Sequence, residues 1–152
     1  MAFTLGSFLL LCGISGALTW NRCPHGWTQL DNRCYIYQSP EMMFLEAEKV
    51  CQILGGNLVS IRDTVENAVV FDLIQSGPTA WIGLHNAILD QDFLWTDGSV
   101  VKYTAFKAEG PDGLGNCVQF SRLEGFWQDH RCDESAPFVC TKDVKFLGGS
   151  GI

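Results

Sequence analysis

The feature that most constrains this chain is an even set of cysteines behind an apolar leader. The sequence contains seven cysteines, and Cys12 lies inside the leader. The other six are Cys23, Cys34, Cys51, Cys117, Cys132 and Cys140. Six cysteines in a short chain predict a secreted, extracellular domain linked by disulfides, because such bonds persist where no reducing pool attacks them. Spacing alone does not choose among the possible pairings.

The leader predicts a signal peptide over residues 1–17. Residues 2–18 carry no charged side chain, and the apolar run Phe8–Cys12 is too short to span a bilayer. Ser15-Gly16-Ala17 provides the small residues that a signal peptidase needs, which places cleavage near Ala17. A retained membrane anchor is the alternative, and the length of the run disfavours it. The mature form is therefore predicted to have no membrane span.

The charge of the chain disfavours polyanionic partners. Its 17 acidic and 10 basic residues give a net charge of −7, with no Lys/Arg cluster. An acidic chain of this kind is a poor ligand for nucleic acid or for anionic membranes.

The first half of the mature chain predicts two helices. Ser39-Pro40 has the pattern of a cap followed by a proline in the first turn, and an apolar periodicity then runs to Gly55. Its members are Met43, Ala47, Val50, Cys51 and Leu54. The second helix is predicted to begin at Asp63, with Glu66 completing a capping box, and to stop at Gly77-Pro78. Its apolar side is predicted to be Val65, Val69 and Leu73.

A change of pattern after Pro78 predicts strands. Short apolar runs alternate with turn-rich stretches such as Asp97-Gly98-Ser99 and Gly110-Pro111-Asp112-Gly113. The runs are Trp81–Leu84, Phe93–Trp95, Cys117–Phe120 and Phe138–Cys140. Helices followed by strands indicate an α+β fold. Trp81, Trp95 and Trp127 are predicted to lie in the core.

An ordered set of short motifs resembles the signature of the C-type lectin-like domain. The motifs are Trp81-Ile82-Gly83-Leu84, Trp95-Thr96-Asp97-Gly98-Ser99, Cys117-Val118, Trp127-Gln128-Asp129 and Pro137-Phe138-Val139-Cys140. The resemblance covers roughly Cys23 to Lys142, so residues 23–142 are predicted to form this domain and residues 143–152 a flexible tail. It implies two helices packed on short antiparallel sheets, a long ligand loop and three disulfides.

The resemblance also implies a disulfide pairing. Cys23 would bond to Cys34 in an N-terminal hairpin, and Cys51 would tie the first helix to Cys140 in the last strand. The third pair, Cys117 with Cys132, would brace the long loop where this family binds ligands.

The calcium site of the family can be compared with this chain position by position. Sugar-binding members hold Ca²⁺ with a Glu-Pro-Asn or Gln-Pro-Asp triplet, a Glu two residues before a cysteine, and an Asn-Asp pair after a tryptophan. The matching positions here are Gly110-Pro111-Asp112, Gly115, and Gln128-Asp129 after Trp127. Only the Asp112 and Asp129 carboxylates persist, whereas Ca²⁺ takes about six to eight oxygens. No cofactor is predicted beyond a weak, residual calcium site.

The resemblance thus places ligand binding on the loop face. Its candidate residues are Glu109, Pro111, Asp112, Trp127, Gln128 and Asp129. Glu109 would offer a carboxylate if the loop shifted by one residue. One hypothesis is that the loop geometry persists, so that Gly110→Gln, Gly115→Glu and Gln128→Asn would restore the site. The competing hypothesis is that the short Pro111–Cys117 segment cannot close around an ion.

Three functions remain open at this stage. The first is a secreted lectin of innate immunity that binds glycans or microbial surface carbohydrate, with the retained Pro111-Asp112 slightly favouring galactose-type ligands. The second is a calcium-independent module for a protein ligand, similar to venom C-type-lectin-like proteins. The third is an ice-binding protein similar to type II antifreeze proteins, which typically carry more cysteines. No enzyme is predicted, because the sequence shows no nucleophile constellation and no zinc-type spacing of His25, His85 and His130.

Overall fold

The chain folds as an α+β domain in which two helices flank one mixed sheet. The computed structural model describes residues 22–75, 77–88 and 92–145. In chain order the elements are β1 (Thr28–Leu30), β2 (Arg33–Met42), α1 (Phe44–Ile53), β3 (Asn57–Leu58), α2 (Thr64–Leu73), β4 (Thr79–His85), β5 (Leu94–Trp95), β6 (Cys117–Ser121), β7 (Trp127–His130) and β8 (Ala136–Asp143). The predicted fold class is confirmed, and so are the four predicted strand segments, which lie at β4, β5, β6 and β8.

The described strands join into a single eight-stranded sheet rather than into separate short sheets. The main path runs β1-β2-β8-β4-β6-β7, with β3 paired to β8 and β5 paired to β4. All pairs are antiparallel except β4 and β8, which are parallel where Trp81 faces Phe138. The sheet therefore differs from the predicted antiparallel arrangement at this one pair.

The pairing of the six domain cysteines is confirmed. Disulfides join Cys23 to Cys34, Cys51 to Cys140, and Cys117 to Cys132. The second of these connects α1 to β8 across 89 residues of sequence. Cys12 lies outside the described residues, as does the predicted signal peptide.

The predicted start of the first helix is wrong. Ser39 and Pro40 belong to β2, and α1 begins at Phe44 after the cap residue Met43. The register between β2 and β8 shifts between Gln38 and Met42. A proline is tolerated at such an irregularity because its missing N–H interrupts no regular ladder.

The second helix begins where the sequence predicts, and two of the three residues of its predicted apolar side, Val69 and Leu73, are partly buried against the core. The Asp63 carboxylate accepts a hydrogen bond from the Glu66 N–H, as a cap should. The Glu66 carboxylate, however, accepts from the Arg62 N–H rather than from Asp63, so the capping box is not reciprocal. The buried residues are Glu66, Val70 and Ile74, whereas Val65 is exposed.

Two apolar cores lie on opposite faces of the sheet, as the alternation of Trp81 and Ile82 along β4 requires. One core joins α1 to the sheet through Phe44, whose ring meets Trp81 edge to face at 5.5 Å. The other lies under α2 and contains Trp95 and Trp127. All three tryptophans predicted to be core are buried.

The last strand ends beyond the predicted domain boundary. Asp143 is in β8, and the buried Val144 donates its N–H to the Asn32 carbonyl at 2.8 Å. The first residues of the segment predicted as tail thus belong to the domain. Residues 146–152 lie outside the described part of the chain.

A buried ion pair fixes β2 against α2. Arg33 Nη1 lies 3.0 Å from Glu66 Oε1, and the two side chains are 6% and 4% exposed. The same oxygen accepts from the Tyr35 hydroxyl at 3.1 Å and from Arg62 Nε at 2.9 Å. Burial works to raise the pKa of Glu66, but the bonds from Arg62 and Arg33 outweigh it and lower the pKa to about 2.

This ion pair predicts an acid-dependent stability. Because the folded pKa of Glu66 lies below its ordinary value of 4.5, the contribution is complete above pH 4.5 and is lost as pH falls towards 2. We expect Glu66→Gln to lower the free energy of unfolding at pH 7 by about 3 kcal/mol, because it leaves Arg33 buried without its partner charge. Urea denaturation at pH 7 and at pH 2.5 measures both values. The difference between variant and wild type should shrink at the lower pH, and the exposed Glu41→Gln serves as the control; an equal difference at both pH values would contradict the assignment.

Candidate functional site: the loop cleft

The candidate site is built around the edge strand β7 and the loop that precedes β6. Trp127 anchors β7, because its ring is fully buried and its Nε1 donates to Asn67 Oδ1 of α2 at 3.0 Å. The rings of Tyr103 and Phe106 meet it at 5.7 and 5.9 Å. The Trp127 N–H also donates to the Ala105 carbonyl at 2.9 Å, so the start of the loop runs beside β7.

The end of the loop is fastened to β7 by a single carboxylate. Asp129 Oδ1 accepts from the Asp112 N–H at 2.9 Å, and Asp129 Oδ2 accepts from the Gly113 N–H at 2.8 Å. Asp112 Oδ1 in turn accepts from the Leu114 N–H at 3.0 Å. We call the two bonds to Asp129 the loop latch. Both carboxylates of the predicted calcium site therefore bind backbone N–H groups of the loop.

The electrostatics of Asp129 agree with this role. Burial of Asp129, which is only 8% exposed, works to raise the pKa of its carboxyl group. Backbone hydrogen bonds, chiefly from Asp112, outweigh this effect and hold the pKa below its ordinary value. Among the described residues, no group of three or more His, Cys, Asp or Glu side chains could hold one.

Gly115, at the position where the sugar-binding pattern has a Glu, has no room for a side chain. A Cβ at Gly115 would lie 2.0 Å from the carbonyl carbon and oxygen of His130 and 2.5 Å from the Arg131 nitrogen. These are backbone atoms and cannot move aside cheaply. At Gly110, by contrast, the nearest atom to a new Cβ is the Lys107 oxygen at 3.3 Å. The loop is thus packed on β7 at the position where the family places a Glu, which favours the second of the two loop hypotheses.

The latch and the His130 backbone together leave an open cleft of about 660 Å³. Of the predicted site residues, Glu109, Asp112, Trp127, Gln128 and Asp129 line it. Pro111 is not among the lining residues; it is exposed in the loop, after a cis peptide bond with Gly110. Trp127 borders the cleft with its ring buried, so it supports the cleft from below.

Sequence reasoning missed half of the cleft. Its other lining side chains are Lys107, Leu114, His130, Arg131 and Glu134. His130 and Arg131 could have been found from their position between the Trp127 motif and Cys132, since the Cys117–Cys132 disulfide holds that segment beside β6. No motif or disulfide in the sequence indicates that Lys107 lines the cleft.

Two hydrogen bonds and one ion pair order the polar side chains at the rim of the cleft. Gln128 Nε2 donates to Glu124 Oε2 at 2.8 Å, and Lys107 Nζ lies 3.4 Å from the same oxygen. Across the cleft, His130 Nδ1 lies 2.9 Å from Glu134 Oε2. Each of these pairs is exposed and adds little stability. The rim therefore offers hydrogen-bond donors and acceptors, and charges of both signs, to a polar ligand.

The fold, the three disulfides and a ligand-sized cleft beside the loop define a small disulfide-linked binding domain. The family model for the lectin C-type domain matches residues 40–142. The chain therefore belongs to the C-type lectin domain family, whose members are binding proteins rather than enzymes. The motif order that suggested the family and the prediction that the chain is not an enzyme are both confirmed.

Individual relatives show how far the similarity extends. The chain is 34% identical over 133 residues to C-type mannose receptor 2 of Homo sapiens, but it spans only 9% of that protein's length. It is 31% identical to the galactose-specific lectin nattectin of Thalassophryne nattereri, covering 93% of this chain and 96% of nattectin. The crystal structure of human lithostathine superposes with a TM-score of 0.77 at 30% identity, covering 80% of this chain and 91% of that one. No helix in the described part of the chain is long and apolar enough to cross a membrane.

The loop latch predicts a local opening in an Asp129 variant. In Asp129→Asn the amide nitrogen would face one of the two backbone N–H donors, so at least one bond of the latch is lost. We expect a loss of about 1–3 kcal/mol in unfolding free energy and faster hydrogen exchange at Asp112 and Gly113. Exchange measured by NMR checks this, with the exposed Asp133→Asn as the control. Unchanged protection at both amides would show that the latch does not hold the loop.

The packing at Gly115 predicts that the family's calcium ligand cannot be restored by substitution. We expect Gly115→Glu to cost about 1–3 kcal/mol or more, because a side chain is forced against backbone, and calcium should not recover that loss. Gly110→Gln, whose Cβ would lie 3.3 Å from the Lys107 carbonyl oxygen, should cost less than Gly115→Glu. Thermal melts of both variants with and without millimolar Ca²⁺ test this. A rise of several degrees in the Tm of Gly115→Glu with calcium would contradict the prediction, since ligand at about 100 times its Kd adds about 2.7 kcal/mol.

Proposed function

We propose that this protein is a secreted lectin that binds glycans, including microbial surface carbohydrate, at the loop cleft without depending on calcium. The observation that carries the proposal is the loop latch. It closes the loop with Asp129 alone and leaves a cleft of about 660 Å³. This volume lies within the range of ligand pockets, about 300–1,000 Å³.

The chemistry of the rim supports a sugar ligand. A sugar hydroxyl both donates and accepts hydrogen bonds, and the rim offers the Gln128 amide, the Lys107 and Arg131 cations, and the Glu109 and Glu134 carboxylates. Nattectin is named a galactose-specific lectin, and its similarity covers 93% of this chain. This supports a galactose-type ligand as the first choice to test.

Secretion is part of the proposal. The apolar leader over residues 1–17 and the complete pairing of the six domain cysteines support an extracellular, oxidising location.

A protein ligand is the second candidate, and exposed apolar side chains favour it. Leu114 in the loop is 75% exposed and Ile88 after β4 is 73% exposed. The Asn86 N–H donates to the Asn116 carbonyl at 2.9 Å, which places the segment that leads to Ile88 beside the end of the loop. Exposed apolar side chains that lie close together are typical of surfaces that contact another protein.

A glycan-binding assay with calcium and with chelator distinguishes these functions. We expect galactose-bearing glycans to bind equally in both conditions. Gln128→Ala should weaken binding by about threefold to tenfold, the effect of one lost hydrogen bond. The exposed Gln75→Ala is the matched control.

Three results would change the conclusion. Binding abolished by chelator would contradict the calcium-free mechanism. Binding unaffected by Gln128→Ala would place the glycan elsewhere on the protein. An absence of any glycan binding would leave the protein-ligand function, for which Leu114→Ala and Ile88→Ala are the informative variants.

A further inference from the structure

A second, polar cleft of about 480 Å³ lies where the start of β2, the strand β3 and the end of β8 meet the turn after β5. It shares no residue with the loop cleft. Apart from three glycines, every residue that lines it carries a polar or charged side chain. These are Arg33, Asn57, Ser60, Arg62, Asp97, Ser99, Thr141, Lys142 and Asp143.

The side of the cleft near β2 is held rigidly. Arg33 Nη2 donates to Ser60 Oγ at 2.8 Å, and Ser60 Oγ donates to Asp97 Oδ2. The other oxygen of Asp97 accepts from the Ser99 hydroxyl and, at 2.8 Å, from the Ser99 N–H. Arg33 is in addition fixed by Glu66 behind it. A network with this many internal bonds loses little freedom when a ligand binds.

The charges of the cleft balance. Arg33 and Arg62 are matched by Glu66 and Asp97, which contact them. The Lys142 ammonium donates to the Leu54 carbonyl at 2.9 Å and lies 4.3 Å from the centre of the Trp27 ring, and the Asp143 carboxylate adds a second negative charge to the lining. A bare anion would therefore meet Asp97 and Asp143, and a bare cation would meet the guanidinium groups. Groups that donate and accept at the same time fit such a lining better than either ion.

We propose that this polar cleft is a second binding site that takes a neutral saccharide through its hydroxyl groups, without a metal ion. A hydroxyl can accept from Arg62, whose side chain is 53% exposed, while it donates to a carboxylate of the lining such as Asp143. Hydrogen bonds to charged partners are about twice as strong as those between neutral groups. The proposal does not depend on the function assigned to the loop cleft.

Glycine keeps the mouth of the polar cleft open. Gly98 has a φ of +78°, and a Cβ placed there would meet nothing within 4 Å. At Gly55 a Cβ would touch the Lys142 side chain at 3.8 Å. The absence of side chains at these positions leaves a sugar ring access to Lys142 and Asp97.

Two sites on one chain would change how the protein engages a surface. If the loop cleft also binds sugar, as proposed above, a glycan long enough to reach both clefts would present its second branch to the other site at high effective concentration. Weak monosaccharide affinity at each site is then compatible with firm attachment to a branched or repeating glycan.

The test is an NMR titration of labelled protein in EDTA with the methyl glycosides of galactose, mannose and glucose. We expect at least one of them to shift the backbone amides of Ser60, Ser99 and Lys142. Sodium glucuronate and glucosamine, which carry one net charge each, should shift them less. No shift at these amides from any neutral glycoside would overturn the proposal, as would shifts caused only by the charged sugars.

Variants separate this cleft from the loop cleft. Asp143→Ala should weaken the effect on the Ser60, Ser99 and Lys142 amides by about tenfold, the loss of one hydrogen bond to a charged group. Ser99→Trp should block it, whereas the neighbouring, exposed Val100→Trp should not. Gln128→Ala should leave these shifts intact while it affects the loop cleft, so the two proposals fail independently. Shifts that survive Ser99→Trp in a protein with native melting behaviour would overturn the assignment of this site.

Discussion

The pairing of β8 in the middle of the sheet is the constraint on which the rest of the structure depends. This strand is antiparallel to β2 and β3 and parallel to β4, and its Cys140 is bonded to Cys51 of α1. Contacts so distant in sequence cost chain entropy, which the disulfide reduces in the unfolded state. The end of β8 supplies Lys142 and Asp143 to the polar cleft, and its neighbour β4 positions β6 and β7 for the loop cleft. Both clefts therefore form only when β8 is paired in the sheet.

Asp129 shows how an acid at one position in the family pattern can order the loop in two different ways. In the sugar-binding pattern that this chain resembles, the matching acid is a calcium ligand, so an ion organises the loop. Here the same carboxylate accepts the N–H groups of Asp112 and Gly113, so the protein organises the loop itself. Charge-assisted hydrogen bonds of this kind are short and strong. The sequence retains the acid in both cases, and only the geometry reveals which partner it has.

The sequence predicts the apolar pattern of this domain better than its polar interior. The strands at β4, β6 and β8 and the core tryptophans follow from apolar runs. The start of α1 was mispredicted because Pro40 is as typical of a first helical turn as of a strand irregularity, and only pairing with β8 decides between them. The apolar side of α2 is predicted in part, since Val69 and Leu73 pack against the core. The burial of Glu66 is not predicted, because the Arg33 that neutralises its charge lies in β2, far away in sequence.

The sequence predicts which loop and strand form the candidate site, but it does not predict all the side chains that line the cleft. The family motifs located Asp112, Gln128 and Asp129, but a glycine in a sequence carries no sign of what lies beside it. At Gly115 the neighbour is the backbone of His130, so a carboxylate side chain at this position would collide with it. We therefore expect the loop, packed this close to β7, to leave no room for an ion and its oxygens. The close approach also presents Leu114, His130 and Arg131 in one cleft.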